Sequence, residues 1–408
     1  MFFNMLYMPY WAVYLKDVIG LEIIQIGLLR ALARSNQLLF TFPGGLLADR
    51  IGRKKVTLMG AAVQIATPLV YLFARSWELL LIGTIINSMQ SISTAAFTAM
   101  IAESMSRDQR GRGYGIYGLM RRVPMVFTGI IGGVFMDTLG LGLGTRYCFV
   151  GGVAGGVTVF TGRYLFLTET LKRKAGAKSS VKDDLKEVIP LFRGSLKYMQ
   201  VTSALYQFAA GLTSELIVIY ITENIGLTYT EYGFIQTVMS TIGIITAIPG
   251  GMMADRYDRV KLSVAARAIS PITTIGYIYL RSFPQILATR MVAGIGMGLS
   301  GAGEMGMMGG PSYESLMADL VPPEKRGRFS GLMSTFSGLV SLPSPYIGAY
   351  MWADPTIQPE GTMWTGLVLG LASTFIFGKF VKDPRYEKKR AVAEVEEQEE
   401  DNQEKSSS

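Results

Sequence analysis

Apolar residues run along the chain in long blocks separated by short polar segments. A helix needs about 20 mostly apolar residues to cross ~30 Å of hydrocarbon. On that pattern twelve spans are predicted: Phe2–Leu15, Ile24–Leu47, Val56–Ala74, Leu79–Ile101, Gly113–Met136, Arg146–Leu167, Leu196–Ile221, Tyr232–Met253, Leu262–Leu280, Pro284–Met305, Arg328–Tyr350 and Gly361–Phe380. Prolines inside them (Pro68, Pro124, Pro271, Pro343, Pro345) are tolerated where neighbouring helices or a cavity satisfy the freed backbone groups. The first span is short before Lys16-Asp17, and Met1 lies within it. Either that helix is short or the start lies further upstream. No basic stretch precedes it, so it does not read as a signal peptide.

The polar segments repeat. Pro43 to Lys55 reads PGGLLADRIGRKK, and Pro249 to Lys261 reads PGGMMADRYDRVK, an offset of 206. A looser echo pairs Glu103 and Arg112 with Asp319 and Arg328, now offset by 216, with the extra ten residues in the Gly/Met-rich run around Gly303 to Pro311. The chain therefore reads as two homologous halves in the same orientation. The expectation is an all-α integral membrane protein of twelve transmembrane helices in two pseudo-symmetric six-helix bundles. Residues 1–168 form the N-terminal bundle, 169–195 a cytoplasmic linker, 196–381 the C-terminal bundle and 382–408 a charged, disordered tail.

Charge sets the orientation. Lys and Arg concentrate in the segments after even-numbered spans, while those after odd-numbered spans hold only Lys16, Arg75, Arg146 and Arg281. By the positive-inside rule both termini are cytoplasmic, in a multi-pass protein of the plasma membrane. A pI near 9.3 raises nucleic acid as a partner, but the basic residues lie between apolar spans and form no basic domain, so none is expected. One cysteine, Cys148, and no histidine exclude a disulfide framework and leave no expectation of a zinc site, a cofactor or histidine catalysis. No nucleophile–base constellation suggests an enzyme. The expected partners are the lipid bilayer and a small-molecule substrate, with a proton as coupling ion, for a monomer.

The stretch Gly45-Leu46-Leu47-Ala48-Asp49-Arg50-Ile51-Gly52-Arg53-Lys54-Lys55 fits the pattern G-x-x-x-D-R-x-G-R-R/K-x. Here the chain resembles the major facilitator superfamily of secondary transporters, over all twelve spans. The second copy departs once, with Asp258 for Gly. Arg290 to Gly298 resembles the family's R-x-x-x-G-x-G motif, but in the tenth span; the fourth-span equivalent of Arg290 is Thr84. The exporters' G-P-x-x-G-G motif appears as Thr128 to Gly133 without its proline. The resemblance implies two charge networks, Asp49–Arg53–Glu103 and Asp255–Arg259–Asp319, holding the inner ends of the bundles. Gly45, Arg50, Arg112, Arg256 and Arg328 belong to the same gating segments.

Charges deep in the spans bear on the substrate, because burying one costs at least ~2.5–3.5 kcal/mol. Arg34 lies about 22 Å along the helix from Asp49, and Arg121 and Arg122 about 14 Å from Arg112. Arg30 is close enough to an end to snorkel. Glu215 is the comparably deep acid, able to neutralise at most one arginine and to serve as the proton-coupling residue. Asn4, Tyr7, Asn36, Gln37, Asn87, Gln90, Gln207 and Gln236 are candidates to line the cavity or to glue helices together. Arg163, Arg267 and Arg290 read as snorkelling or structurally paired. The leading substrate is a small organic or amphipathic anion, which guanidinium forks suit. The alternatives are a proton-coupled multidrug efflux antiporter and a transporter-like receptor or scaffold.

Overall fold

The computed structural model describes residues 2–104, 110–170, 189–300, 311–322 and 325–386. The predicted sites at Gly45, Asp49, Arg112, Arg121, Arg122 and Arg328 rest on side chains outside the described residues. Among the described residues every regular element is helical.

Helices occupy each predicted span. The second is Ile23–Ile51, the third Arg53–Phe73, the fifth Arg110–Leu139, the sixth Leu141–Phe166, the eighth Tyr229–Arg256 and the twelfth Gln358–Phe380. The tenth is one helix, Phe283–Ser300, and the remaining five are broken where small, polar or proline residues interrupt them. The fourth divides into Trp77–Ser88 and Gln90–Glu103, the ninth into Arg259–Arg267 and Ser270–Tyr279, the eleventh into Arg326–Ser341 and Ser344–Ala353. By length and apolarity, five helices among the described residues can each cross a membrane, or six when the bent pair Ser195–Thr213 and Ile217–Ile225 counts as one. A short helix, Pro311–Leu320, follows the tenth span, and Ser312 Oγ donates to Leu299 O at 3.2 Å. That bond holds the start of the short helix against the end of the tenth span.

Two homologous segments break alike. Glu215 sits in a turn between Thr213 and Ile217, where Leu216 N donates to Thr213 O. Pro9, one repeat offset earlier, sits in the 3-10 turn Met8–Tyr10. Both first helices then end in a π turn, Tyr14–Val18 and Tyr220–Ile225, before glycines at φ +81° and +83°.

Burial is uneven along the bundle. At the end remote from the repeated loops, one core joins both halves, from Leu6, Tyr10 and Ile26 to Tyr220, Tyr232 and Trp352. At the loop end the cores are separate: Ala48, Val56 and Ala96 in one half, Leu196, Leu316, Phe329 and Phe377 in the other. Among the described residues, the halves share a buried core at one end and not at the other.

Candidate functional site

Near the junction of the halves three charges converge, two from the second helix and one from the turn that breaks the seventh span. Glu215 Oε2 lies 3.0 Å from Arg30 Nη2, and its Oε1 lies 3.8 Å from Arg34 Nη2. Arg34 Nη1 points to Ser344 Oγ at 3.5 Å. Gly211 makes the room: a Cβ there would stand 1.9 Å from Ser344 Oγ and 2.9 Å from Arg34 Nη1. All three charged side chains are partly exposed, 19–32%, so the cluster faces a wet space. One expectation is corrected: Arg30 does not snorkel but pairs with Glu215, which also lies within ion-pair distance of Arg34. Two guanidiniums share a single carboxylate, which leaves one positive charge.

The repeat places this cluster in a pseudo-symmetric frame. At the 206 offset Arg30 corresponds to Gln236, Tyr71 to Tyr277 and Thr84 to Arg290. In the C-terminal half Arg290 Nη2 donates to Gln236 Oε1 at 2.8 Å, and its guanidinium lies 5.3 Å from the Tyr277 ring centre. In the N-terminal half Tyr71 OH meets Thr84 Oγ1 at 3.3 Å. Each half keeps a tyrosine at this level with an arginine on a different helix, the second span in one and the tenth in the other. Gln236 also donates to Tyr232 OH at 3.0 Å, so it is engaged inside its own half rather than lining the shared space.

The other polar candidates divide. Tyr7 packs in an aromatic cluster with Trp11 and Phe149, at ring distances of 5.5 and 5.0 Å. Asn4 Oδ1 lies 2.7 Å from where a Gly152 Cβ would stand, facing the sixth span. Both therefore sit within the N-terminal bundle. Asn36, Gln90 and Gln207 are half-buried, and Gln37 and Asn87 exposed. The glue between second and fourth spans comes instead from Ser88, bonded to Ala33 O, and Ser91, bonded to Gln37 O. Arg267 and Arg290 are 3% and 0% exposed, which rules out snorkelling; Arg163 is held over Phe97 at 4.6 Å.

At the loop end the predicted pairs form. Arg53 meets Glu103, and Arg259 Nη1 meets Asp319 Oδ2 at 2.5 Å. Asp255 is exposed and makes no ion pair among the described residues. Two acids missed in the sequence take part. Glu169, expected in the linker, accepts from Arg53 N and Lys54 N at 3.1 Å each, capping the third helix. Asp383, expected in the disordered tail, is 3% exposed and accepts from Arg259 N at 3.2 Å. The departure at Asp258 also has a reason: it caps Val260 N and Lys261 N itself, where the first copy has Gly52 at φ +101° and borrows Glu169. Because Arg259 is 5% exposed and also bonds Ser315 O at 2.9 Å, Arg259→Gln is expected to cost on the order of 3 kcal/mol. Its melting temperature in detergent should fall well below that of Arg53→Gln; equal melting would refute the difference.

The opposite end is latched between halves. Lys16 pairs with Glu223. Burial and the neighbouring Glu223 carboxylate push the Asp17 carboxyl above its usual range. Asp137, ending the fifth span, accepts from Tyr229 N at 3.2 Å and Thr230 N at 2.7 Å, opposite the positive end of the eighth helix. Tyr10 OH lies within hydrogen-bond distance of both Gly129 O (2.7 Å) and Tyr229 O (3.1 Å).

The sequence comparisons decide the family. The Major Facilitator Superfamily profile matches residues 1–213 and again 199–403. The chain belongs to that superfamily. It is an integral membrane transporter that handles small molecules, not an enzyme. A class H tetracycline resistance protein of Pasteurella multocida is 20% identical over 350 residues, covering 83% of this chain and 82% of that protein. The multidrug resistance protein MdtG of Enterobacter lignolyticus is 24% identical over 319 residues, covering 77% and 72%. Among solved structures, a mutant form of the nucleoside transporter NupG superposes with a TM-score of 0.72 at 12% identity, covering 92% of this chain and 95% of that one. At that identity the likeness concerns the fold.

Proposed function

We propose that this facilitator is a twelve-helix, proton-coupled transporter of organic anions, working by rocking one six-helix half against the other. The carrying observation is Glu215 of the C-terminal half lying between Arg30 and Arg34 of the N-terminal half. That contact is a tether across the halves, and an anionic substrate presents the same chemistry to the same guanidiniums. When Glu215 takes a proton it releases both arginines, and the substrate's carboxylate or phosphate replaces it. Charge balance then favours one anion travelling with one proton. With the repeated loops and both termini in the cytoplasm, the latched end faces outward and the open end inward, in a monomer of the plasma membrane. Cysteine placed at 180 in a Cys148→Ser background should react with an impermeant thiol reagent only from the cytoplasmic side; reaction in intact cells overturns the orientation.

Export of drugs is the second reading, favoured by the names of the tetracycline and multidrug resistance relatives. Proteoliposomes given labelled organic anions and lipophilic cations separate the two. Anion uptake that depends on Arg34 supports the first, and cation export indifferent to Arg34 supports the second.

A further inference from the structure

Thr273 and Tyr277 lie four residues apart on the helix Ser270–Tyr279, so they share one face of it. They are 5% and 3% exposed, and neither hydroxyl has a hydrogen-bond partner among the described residues. Both stand on the wall of a cavity of about 110 Å³ among the helices of the C-terminal half, which none of Arg30, Arg34 and Glu215 lines. A buried hydroxyl without a partner has given up its bonds to water and gained none in return. Each hydroxyl can both donate and accept, so an occupant with a hydroxyl of its own satisfies both at once. Arg267, also in this wall, is engaged there with the rings of Phe377 and Tyr206, at 3.9 and 5.9 Å from their centres. The two groups that lack a partner are therefore neutral ones, and they suit a neutral ligand.

Size and access narrow the ligand. A dry cavity of about 150 Å³ takes benzene, so this one suits an occupant of roughly four to six non-hydrogen atoms. Much of the remaining wall is methionine, alanine, glycine and leucine, which suits an alkyl chain. On the twelfth helix a Cβ added to Gly370 would meet nothing within 4 Å, and the neighbouring Leu371 is exposed, so the cavity opens beside them. That helix is apolar enough to cross a membrane, which puts the opening at the depth of the lipid chains. We infer that the cavity binds a short-chain alkanol entering from the bilayer, its hydroxyl between Thr273 and Tyr277 and its alkyl end among the small apolar residues. Thr213 and Ser214 belong to the same wall and run directly into the turn that presents Glu215, so the occupant touches the segment that carries the tether.

The test is fluorine NMR of trifluoroethanol titrated with the purified full chain in detergent. Saturable line broadening is expected, displaced by n-butanol and not by fluorobutane, which lacks the hydroxyl, or by butyrate, which carries a charge. Binding should weaken at least tenfold in Gly370→Leu, which places a side chain in the opening, and at least fivefold in Tyr277→Phe. Removing a hydroxyl that has no partner costs the fold nothing, so Tyr277→Phe should keep the melting temperature of the wild type. Arg34→Gln should leave the binding unchanged. Absence of saturable broadening, indifference to both cavity variants, or equal displacement by fluorobutane or butyrate overturns the site. Loss of binding in Arg34→Gln overturns it by moving the ligand to the cluster between the halves, and a lower melting temperature in Tyr277→Phe overturns it by showing that hydroxyl already bonded. If Gly370→Leu does not fold, Tyr277→Phe decides alone.

Discussion

Gly233→Leu is expected to abolish transport, lowering the initial rate at least a hundredfold while the protein still folds. The fifth and eighth helices meet backbone to backbone at this point: a Cβ on Gly233 would stand 2.2 Å from Gly129 O and 2.5 Å from Tyr10 OH. No side-chain rotation relieves a contact with a carbonyl oxygen, so the helices must separate. Separation also pulls Thr237 Oγ1 from Val126 O (3.0 Å) and the Asp137 carboxylate from the start of the eighth helix. The latched end then cannot close, and the cycle stops with that end open. A hundredfold loss corresponds to about 2.7 kcal/mol. Initial rates in proteoliposomes test the loss, and thiol labelling of Thr230→Cys tests its cause, since labelling should rise in the Gly233→Leu background. Normal transport by Gly233→Leu would mean that this close approach plays no part in the cycle.

Arg34→Gln is expected to weaken anion transport at least tenfold, about 1.4 kcal/mol. Arg34 is the more exposed of the two arginines and the more distant from Glu215, so it is the one with capacity for a ligand. Glutamine removes the charge that draws an anion into the space. Arg34→Lys should recover part of the loss, because charge survives and the planar fork does not. Arg30→Gln differs in kind. It removes the 3.0 Å partner of Glu215 and loosens the tether, so turnover should change more than apparent affinity. Concentration dependence of uptake separates the two variants; equal effects on affinity would merge their roles.

The all-helical transporter fold was legible because hydrophobic blocks and a repeat at an offset of 206 are properties of the chain itself. The same repeat led to Arg53 with Glu103 and Arg259 with Asp319, since each half writes its acid and base at matching places. Glu169 and Asp383 escaped because they act through a helix N-terminus more than a hundred residues away, and in the sequence they are acids in polar segments. Arg30 escaped for a different reason. Its partner lies on the other half, and no spacing along one helix reports a contact made by docking two halves together. Gln236 lies at the expected level but in different surroundings. Arg290, at the position of Thr84, turns Gln236 inward, and the offset between the two halves carries that signal.

The tether is the central claim, and the dependence of anion uptake on a pH gradient tests it most directly. Proteoliposomes loaded with wild-type protein or Glu215→Gln are supplied with a labelled organic anion, with and without an inward proton gradient. The account predicts that the gradient drives accumulation by the wild type, while Glu215→Gln equilibrates the anion and ignores the gradient, because a neutral side chain holds neither arginine nor a titrating proton. Gradient-driven accumulation by Glu215→Gln equal to wild type, or robust export of lipophilic cations that persists in Arg34→Gln, would contradict it.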